Sequence, residues 1–274
     1  MPALEANGTR MHYVVDDYTP PWEDSETLYI QHGAGRTVNF WTPWVPHFAG
    51  KYRVVRRDLR GHGDSEIPAE GHPYSLDELV ADTIGFLNEL GLERVHYIGE
   101  STGGIVGLAA AARHPDRFAS LTVTGAPPII AASQVRALAG DAENPHAALE
   151  RGGTEAWIRD YLIPANIISG GNSQAHHDWV VSEYSRTPTQ VLQGYTGNIN
   201  SVDLIPELPA ITAPTLVLAP TRSPMTPLED QLAIWQAIPD ARLAVIDGPG
   251  HEIYVDCAED CINAVSRFLA KVAA

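Results

Sequence analysis

The sequence is poor in cysteine, in basic residues and in long apolar runs, and each shortage excludes something. Two cysteines occur among 274 residues, Cys257 and Cys261. Spaced i, i+4 in what reads as the last helix, they are badly placed for a disulfide, and two thiols alone make a poor metal site. Free thiols in a reducing compartment are expected. Lys and Arg number 18 against 34 Asp and Glu, a formal net charge of −16. A nucleic-acid partner needs a basic face, and an anionic membrane surface repels such a chain. No run approaches the roughly 18 apolar residues of a membrane-spanning helix. The first residues carry neither the basic nor the apolar region of a secretory signal. The expected setting is the cytoplasm and the expected partner a small-molecule substrate, with self-association left open. No His, Cys or acidic cluster has ligand spacing, so neither metal nor cofactor is expected.

What the chain does have is alternation. Asn7-Gly8 supplies a positive-φ turn between two short strands within residues 3–15. Further strands are predicted at 27–31, 52–57, 95–98, 119–124, 215–219 and 242–247. Helices fall between them: an irregular one over 38–49, and one opened by a Ser75/Glu78 capping box and stopped by Gly91. Others cover 105–112, 227–237 behind a Thr226/Glu229 box, and 255 to the end. This order predicts an α/β fold, a mostly parallel sheet of eight strands with helices on both faces and ligands at the carboxyl ends of its strands. Residues 126–210 break the alternation and read as a helical insertion, dividing a core of 1–125 and 211–274.

Val95–Ile98 reads as a buried strand and 105–112 as an apolar helix. Only Gly99-Glu100-Ser101-Thr102-Gly103-Gly104 is available to turn the chain. Glycines lacking a Cβ suit so tight a turn, with Ser101 at its tip: a G-x-S-x-G elbow in strand–turn–helix context. His32-Gly33, Asp58, Ser101, Ser223 and His251 each follow a predicted strand. The topology gathers them on one sheet edge.

Four pieces in this order, His32-Gly33-Ala34-Gly35, Asp58 to Ser65, Gly99-Glu100-Ser101-Thr102-Gly103 and Gly248-Pro249-Gly250-His251, make nearly the whole chain resemble the α/β-hydrolase superfamily. The resemblance implies Ser101 as nucleophile, His251 as its base, and an oxyanion hole from the backbone N–H groups of Ala34 and Thr102. It implies a lid in the 126–210 insertion, after the sixth strand. Where the superfamily usually carries the triad acid, this chain has Ser223. Loss of that carboxylate costs about 10⁴ in turnover in a complete triad. Glu229 and Asp230 belong to a helix start, while Asp247 and Glu252 adjoin His251 too closely to turn back on it. The reading adopted is that Ser223 hydrogen-bonds His251, directly or through water, while Glu100 supplies nearby negative charge. Trp157, Tyr161, Trp179, Tyr184 and Tyr195, with Phe40, Trp41 and Trp44, are expected to wall an apolar pocket.

The expected activity is a serine hydrolase of esters or lactones with a small hydrophobic or aromatic substrate. Ser101 argues against the carboxylate-nucleophile dehalogenases and epoxide hydrolases that share the fold. A carbon–carbon bond hydrolase or lyase would tolerate the missing acid better. A ligand-binding protein on this scaffold would not need Ser101 and His251 at all.

Overall fold

The computed structural model describes residues 2–198 and 202–272. Eight strands form a sheet in the order β1-β2-β4-β3-β5-β6-β7-β8. The strands are β1 (Ala3–Ala6), β2 (Thr9–Asp16), β3 (Thr27–Gln31), β4 (Arg53–Arg57), β5 (Val95–Glu100), β6 (Phe118–Thr124), β7 (Thr215–Pro220) and β8 (Ala241–Ile246). The β1–β2 hairpin turns at Asn7 (φ 49°) and Gly8 (φ 70°) as its Asn-Gly pair predicts. β2 runs antiparallel to β4, and every pair from β4 to β8 is parallel.

Parallel strands covered on both sides are buried at every position, as β3, β5 and β7 are, and their interiors are mostly apolar. Successive side chains alternate between two cores. Tyr29, Val55, Tyr97, Leu121 and Val217 face α2 (Leu76–Glu89), α3 (Thr102–Arg113) and α8 (Leu228–Ala237). Leu28, Ile30, Val54, Ile98, Leu216 and Leu218 face α1 (Val45–Phe48) and α10 (Ala258–Val272). Between β6 and β7 lie α4 (Ala132–Ala139), α5 (Pro145–Trp157), α6 (Gln174–Tyr184) and α7 (Thr189–Asn198). Residues 199–201 of the expected insertion lie outside the described residues.

Three local expectations are corrected. Ser75 Oγ caps α2 by accepting the Glu78 N–H at 3.1 Å, but the Glu78 carboxylate turns to His72 instead of closing a capping box. The last helix is broken at Cys257 (φ −124°, ψ 42°), with the short α9 (Ile253–Asp256) before it. Residues 273–274 of that expected helix lie outside the described residues. Finally, α8 starts behind Pro227 without a side-chain cap. Thr226, fully buried, spends its hydroxyl on Ser223 and His251 instead.

Candidate active site

The turn from β5 into α3 places Ser101 at φ 50°, ψ −120°. Ser101 is the turn residue with positive φ, and Gly99, Gly103 and Gly104 act, as expected, through the Cβ they lack. The glycines serve close approach. A Cβ at Gly103 would lie 2.4 Å from the Gln31 carbonyl oxygen, and one at Gly99 would lie 2.5 Å from that of Gly103. The turn is pinned by Ser101 N–H on Thr124 O at 3.0 Å and by Tyr97 O–H on Gly103 O at 2.7 Å. A non-glycine residue held there stores about 1–3 kcal/mol. Ser101→Gly should therefore be more stable than Ser101→Ala by about 1 kcal/mol, read from urea midpoints. Equal midpoints would mean that the turn holds no strain.

Ser101 Oγ makes no hydrogen bond among the described residues, so its hydroxyl is free to react. The backbone N–H groups of Ala34 and Thr102 are likewise unengaged, and both residues line the same cavity as Ser101. Thr102 opens α3, so its N–H lies at the positive end of a helix dipole.

His251 follows β8 in a loop tied to the helical segment by its N–H on Asn166 O at 3.1 Å. Its Nδ1 lies 3.0 Å from Ser223 Oγ and 3.3 Å from Thr226 Oγ1. Its Nε2 faces Glu100 Oε1 at 3.7 Å, a charge contact beyond hydrogen-bond reach. Burial, reinforced by the nearby Arg36 charge, drives the imidazole down to about 3, so the ring is neutral near pH 7. Ser101 and His251 share the cavity but make no mutual hydrogen bond, a contact that commonly tightens only when substrate binds.

Glu100 is buried to 1 % exposure. Its Oε2 accepts the Gly33 N–H at 2.9 Å and faces Arg36 Nε at 3.3 Å, while Oε1 has no hydrogen-bond partner. Burial pushes its carboxyl up to about 7, against the pull of Arg36 and with the push of Glu252. Arg36 Nε also donates to Glu252 Oε1, and Glu252 accepts the Tyr184 hydroxyl at 2.5 Å and the Ser169 N–H at 2.7 Å. Burial works against the Arg36 charge, but Glu100 and Glu252 outweigh it and hold the guanidinium protonated. One cation is thus shared between two carboxylates under the oxyanion loop.

The structure brings Ser101, His251, Ser223, Glu100, Ala34 and Thr102 together. It leaves His251 Nδ1 without a carboxylate. Asp247 pairs with Arg222 at 2.8 Å, Asp230 accepts from Gln134 at 2.8 Å, and Glu252 belongs to the Arg36 network.

The cavity beside Ser101 has a volume of about 110 Å³, walled by Ile105, Ile130, Leu138, Trp157, Leu162 and Tyr195 among others. Of the aromatics expected there, Trp157, Tyr184 and Tyr195 line it. Phe40, Trp41 and Trp44 do not. The Thr37-capped 3₁₀ turn Val38–Trp44 drives them into the second core, where Trp41 stacks on Tyr254 at 4.5 Å and Phe40 meets Tyr184 edge-on at 5.0 Å. Tyr161 bonds Ala137 O, and Trp179 packs on Phe40 at the surface. Sequence reasoning passed over Arg36 and Thr226. A lone arginine directly after the His32–Gly35 run was the available signal for the first. Thr226 had none, because its local pattern fits a helix cap.

Comparison with known proteins bears on the family and the fold. Residues 26–151 match a family model described as the alpha/beta hydrolase fold, and residues 196–273 one described as TAP-like protein. The chain is 29 % identical over 263 residues to "Putative carbamate hydrolase RutD" of Stutzerimonas stutzeri (strain A1501), covering 91 % of this chain and 92 % of the relative. Among solved structures it is similar to the enol-lactonase from Burkholderia xenovorans LB400, at 26 % identity and TM-score 0.86, covering 98 % of this chain and 100 % of that one. A hydrolase from Pseudomonas aeruginosa PA01 is similar at 26 % identity and TM-score 0.81, with 98 % and 97 % covered.

Proposed function

The chain belongs to the α/β-hydrolase superfamily and is a hydrolase, and from that premise we propose that it cleaves an ester or lactone through an acyl-enzyme on Ser101. The observation that carries the reading is a strained serine whose free hydroxyl shares a cavity with two unengaged backbone N–H groups and a neutral imidazole. Ser101 Oγ attacks the carbonyl carbon while His251 Nε2 takes its proton. The oxyanion forms against the Ala34 and Thr102 N–H groups, each worth about 3–4 kcal/mol at most. His251 then returns the proton to the leaving alcohol, and water releases the acid by the reverse path. The enol-lactonase resemblance supports a lactone among the substrates, and a relative named for carbamates keeps the acyl carbonyl as the common target.

The segment 126–210 acts as a lid over this site. The cavity favours a small, apolar and neutral substrate: its walls are mostly apolar, and Arg36, its lining cation, is already shared by Glu100 and Glu252. We expect kcat/KM for a neutral short-chain aryl ester to exceed that for a carboxylated analogue by about tenfold or more.

Glu100 supplies the charge that a triad acid would have supplied, from the Nε2 side of the ring. Its carboxyl titrates at about 7 and His251 does not titrate in that range. The compensating charge is therefore present above pH 7 and lost as pH falls below it. Activity should rise through pH 7 in the wild type. Glu100→Gln should lower kcat at pH 8 by about tenfold and flatten that rise; an unchanged profile would remove Glu100 from the mechanism.

A second reading, carbon–carbon bond hydrolysis, is favoured by the missing carboxylate at His251 Nδ1. Acid quenching during turnover of an aryl ester or a lactone separates the two. An acyl adduct on Ser101 is expected, whereas inertness toward both substrates with turnover of a vinylogous diketone would favour the second.

A further inference from the structure

The Ser223 hydroxyl has no acceptor capacity left for an imidazole N–H. The backbone N–H groups of Met225, at 3.1 Å, and Thr226, at 2.9 Å, donate to its oxygen, and the Thr226 hydroxyl also lies 2.9 Å from it. A serine hydroxyl offers two lone pairs and one proton. With its acceptor side filled, what it can give His251 Nδ1, 3.0 Å away, is its own O–H. Thr226 Oγ1, the other neighbour of Nδ1 at 3.3 Å, lies 2.9 Å from the same Ser223 oxygen. On the far side of the ring, Nε2 faces Glu100 Oε1, a buried carboxylate oxygen with no hydrogen-bond partner. Gly125 lies beside the ring, where an added Cβ would come 2.8 Å from Cε1.

We propose that Ser223 and Thr226 are positioning residues that hold resting His251 in the tautomer with its proton on Nε2 and with Nδ1 as an acceptor. The inference rests on the reading of Ser101 and His251 as the working pair, but its readout is independent of that reading. A carboxylate at position 223 would do the opposite. Accepting only, it would demand a proton on Nδ1 and leave Nε2 bare for the Ser101 proton. In this chain the ring must first move one proton from Nε2 to Nδ1, with no change of charge, before it can act as a base. The turn at 223 is ready for the carboxylate: an aspartate there can accept the same Met225 and Thr226 N–H groups that Ser223 accepts.

The test is nitrogen NMR of histidine-labelled full-length protein at pH 8.5, with the His251 ring signals assigned by their loss in His251→Asn. The wild type is expected to show a protonated Nε2 and a bare Nδ1. Thr226→Ser, which keeps the hydroxyl, should show the same pattern. Ser223→Asp should reverse it and raise kcat by about 10²-fold or more, toward the 10⁴ that the correct tautomer is worth in a complete triad. A wild-type ring carrying its proton on Nδ1 overturns the proposal, and that spectrum decides alone if Ser223→Asp does not fold. A reversed tautomer with no gain in kcat overturns the link to turnover. The expected spectrum in a protein that fails to acylate at Ser101 would uphold the tautomer while removing the hydrolase reading.

Discussion

Alanine at Ser101 should leave the fold intact and remove most of the activity, with kcat falling by about 10³- to 10⁴-fold. The size of that loss is informative. In a complete triad the nucleophile, removed alone, costs about as much as the whole unit, about 10⁶. Here the acid's share, about 10⁴, is already forgone at Ser223 unless something restores part of it. A site with no compensation would therefore lose only about 10²-fold on Ser101→Ala. The contact between Glu100 Oε1 and His251 Nε2, buried on both sides, restores part of the charge stabilisation. The expected loss accordingly lies above the uncompensated figure and below the full-triad one. Steady-state rates on a neutral aryl ester measure it. A loss of less than tenfold would mean that the turnover observed is not Ser101 chemistry.

Replacing Arg36 with methionine should destabilise the protein by about 3–5 kcal/mol at pH 8. Removing one member of a buried ionic network leaves the others uncompensated, and here two carboxylates, Glu100 and Glu252, lose their shared cation. The sign with pH follows. Arg36 lowers the Glu100 carboxyl, which burial has already pushed up to about 7. Without the cation it rises further, and Glu100 takes up a proton at neutral pH. The loss should be smaller at pH 6 than at pH 8, where the folded state must hold a bare charge. Urea unfolding at the two pH values, with Glu252→Gln added to recover part of the loss at pH 8, checks this. A change below about 1 kcal/mol would show that the network is not needed for folding. Because Glu252 also accepts the Tyr184 hydroxyl and the Ser169 N–H, Arg36→Met should loosen the helical segment that walls the cavity.

The architecture was legible because parallel strands write themselves as apolar runs and their ends carry the chemistry. Ser101 and His251 stood out for that reason, and so did the missing acid, since Ser223 follows β7 where a carboxylate would be expected. What escaped reading depends on contacts across the chain. Thr226 followed by Pro227 and Glu229 is a sound local helix start. Its hydroxyl is nonetheless drawn off by a histidine 25 residues away, which no local pattern encodes. Arg36 is buried through partners 64 and 216 positions distant, Glu100 and Glu252. Phe40, Trp41 and Trp44 have the composition of pocket walls, but the 3₁₀ geometry of their turn decides which way they face. The glycines of the elbow were legible as positions without room for a Cβ, and the packing of α3 against β3 requires them small.

Ser101 chemistry is tested most directly by covalent labelling with a fluorophosphonate, followed by peptide mass analysis. One adduct per chain is expected, on Ser101, lost in Ser101→Ala and formed more slowly in His251→Gln. Wild-type protein that hydrolyses an ester while Ser101 stays unmodified would contradict it.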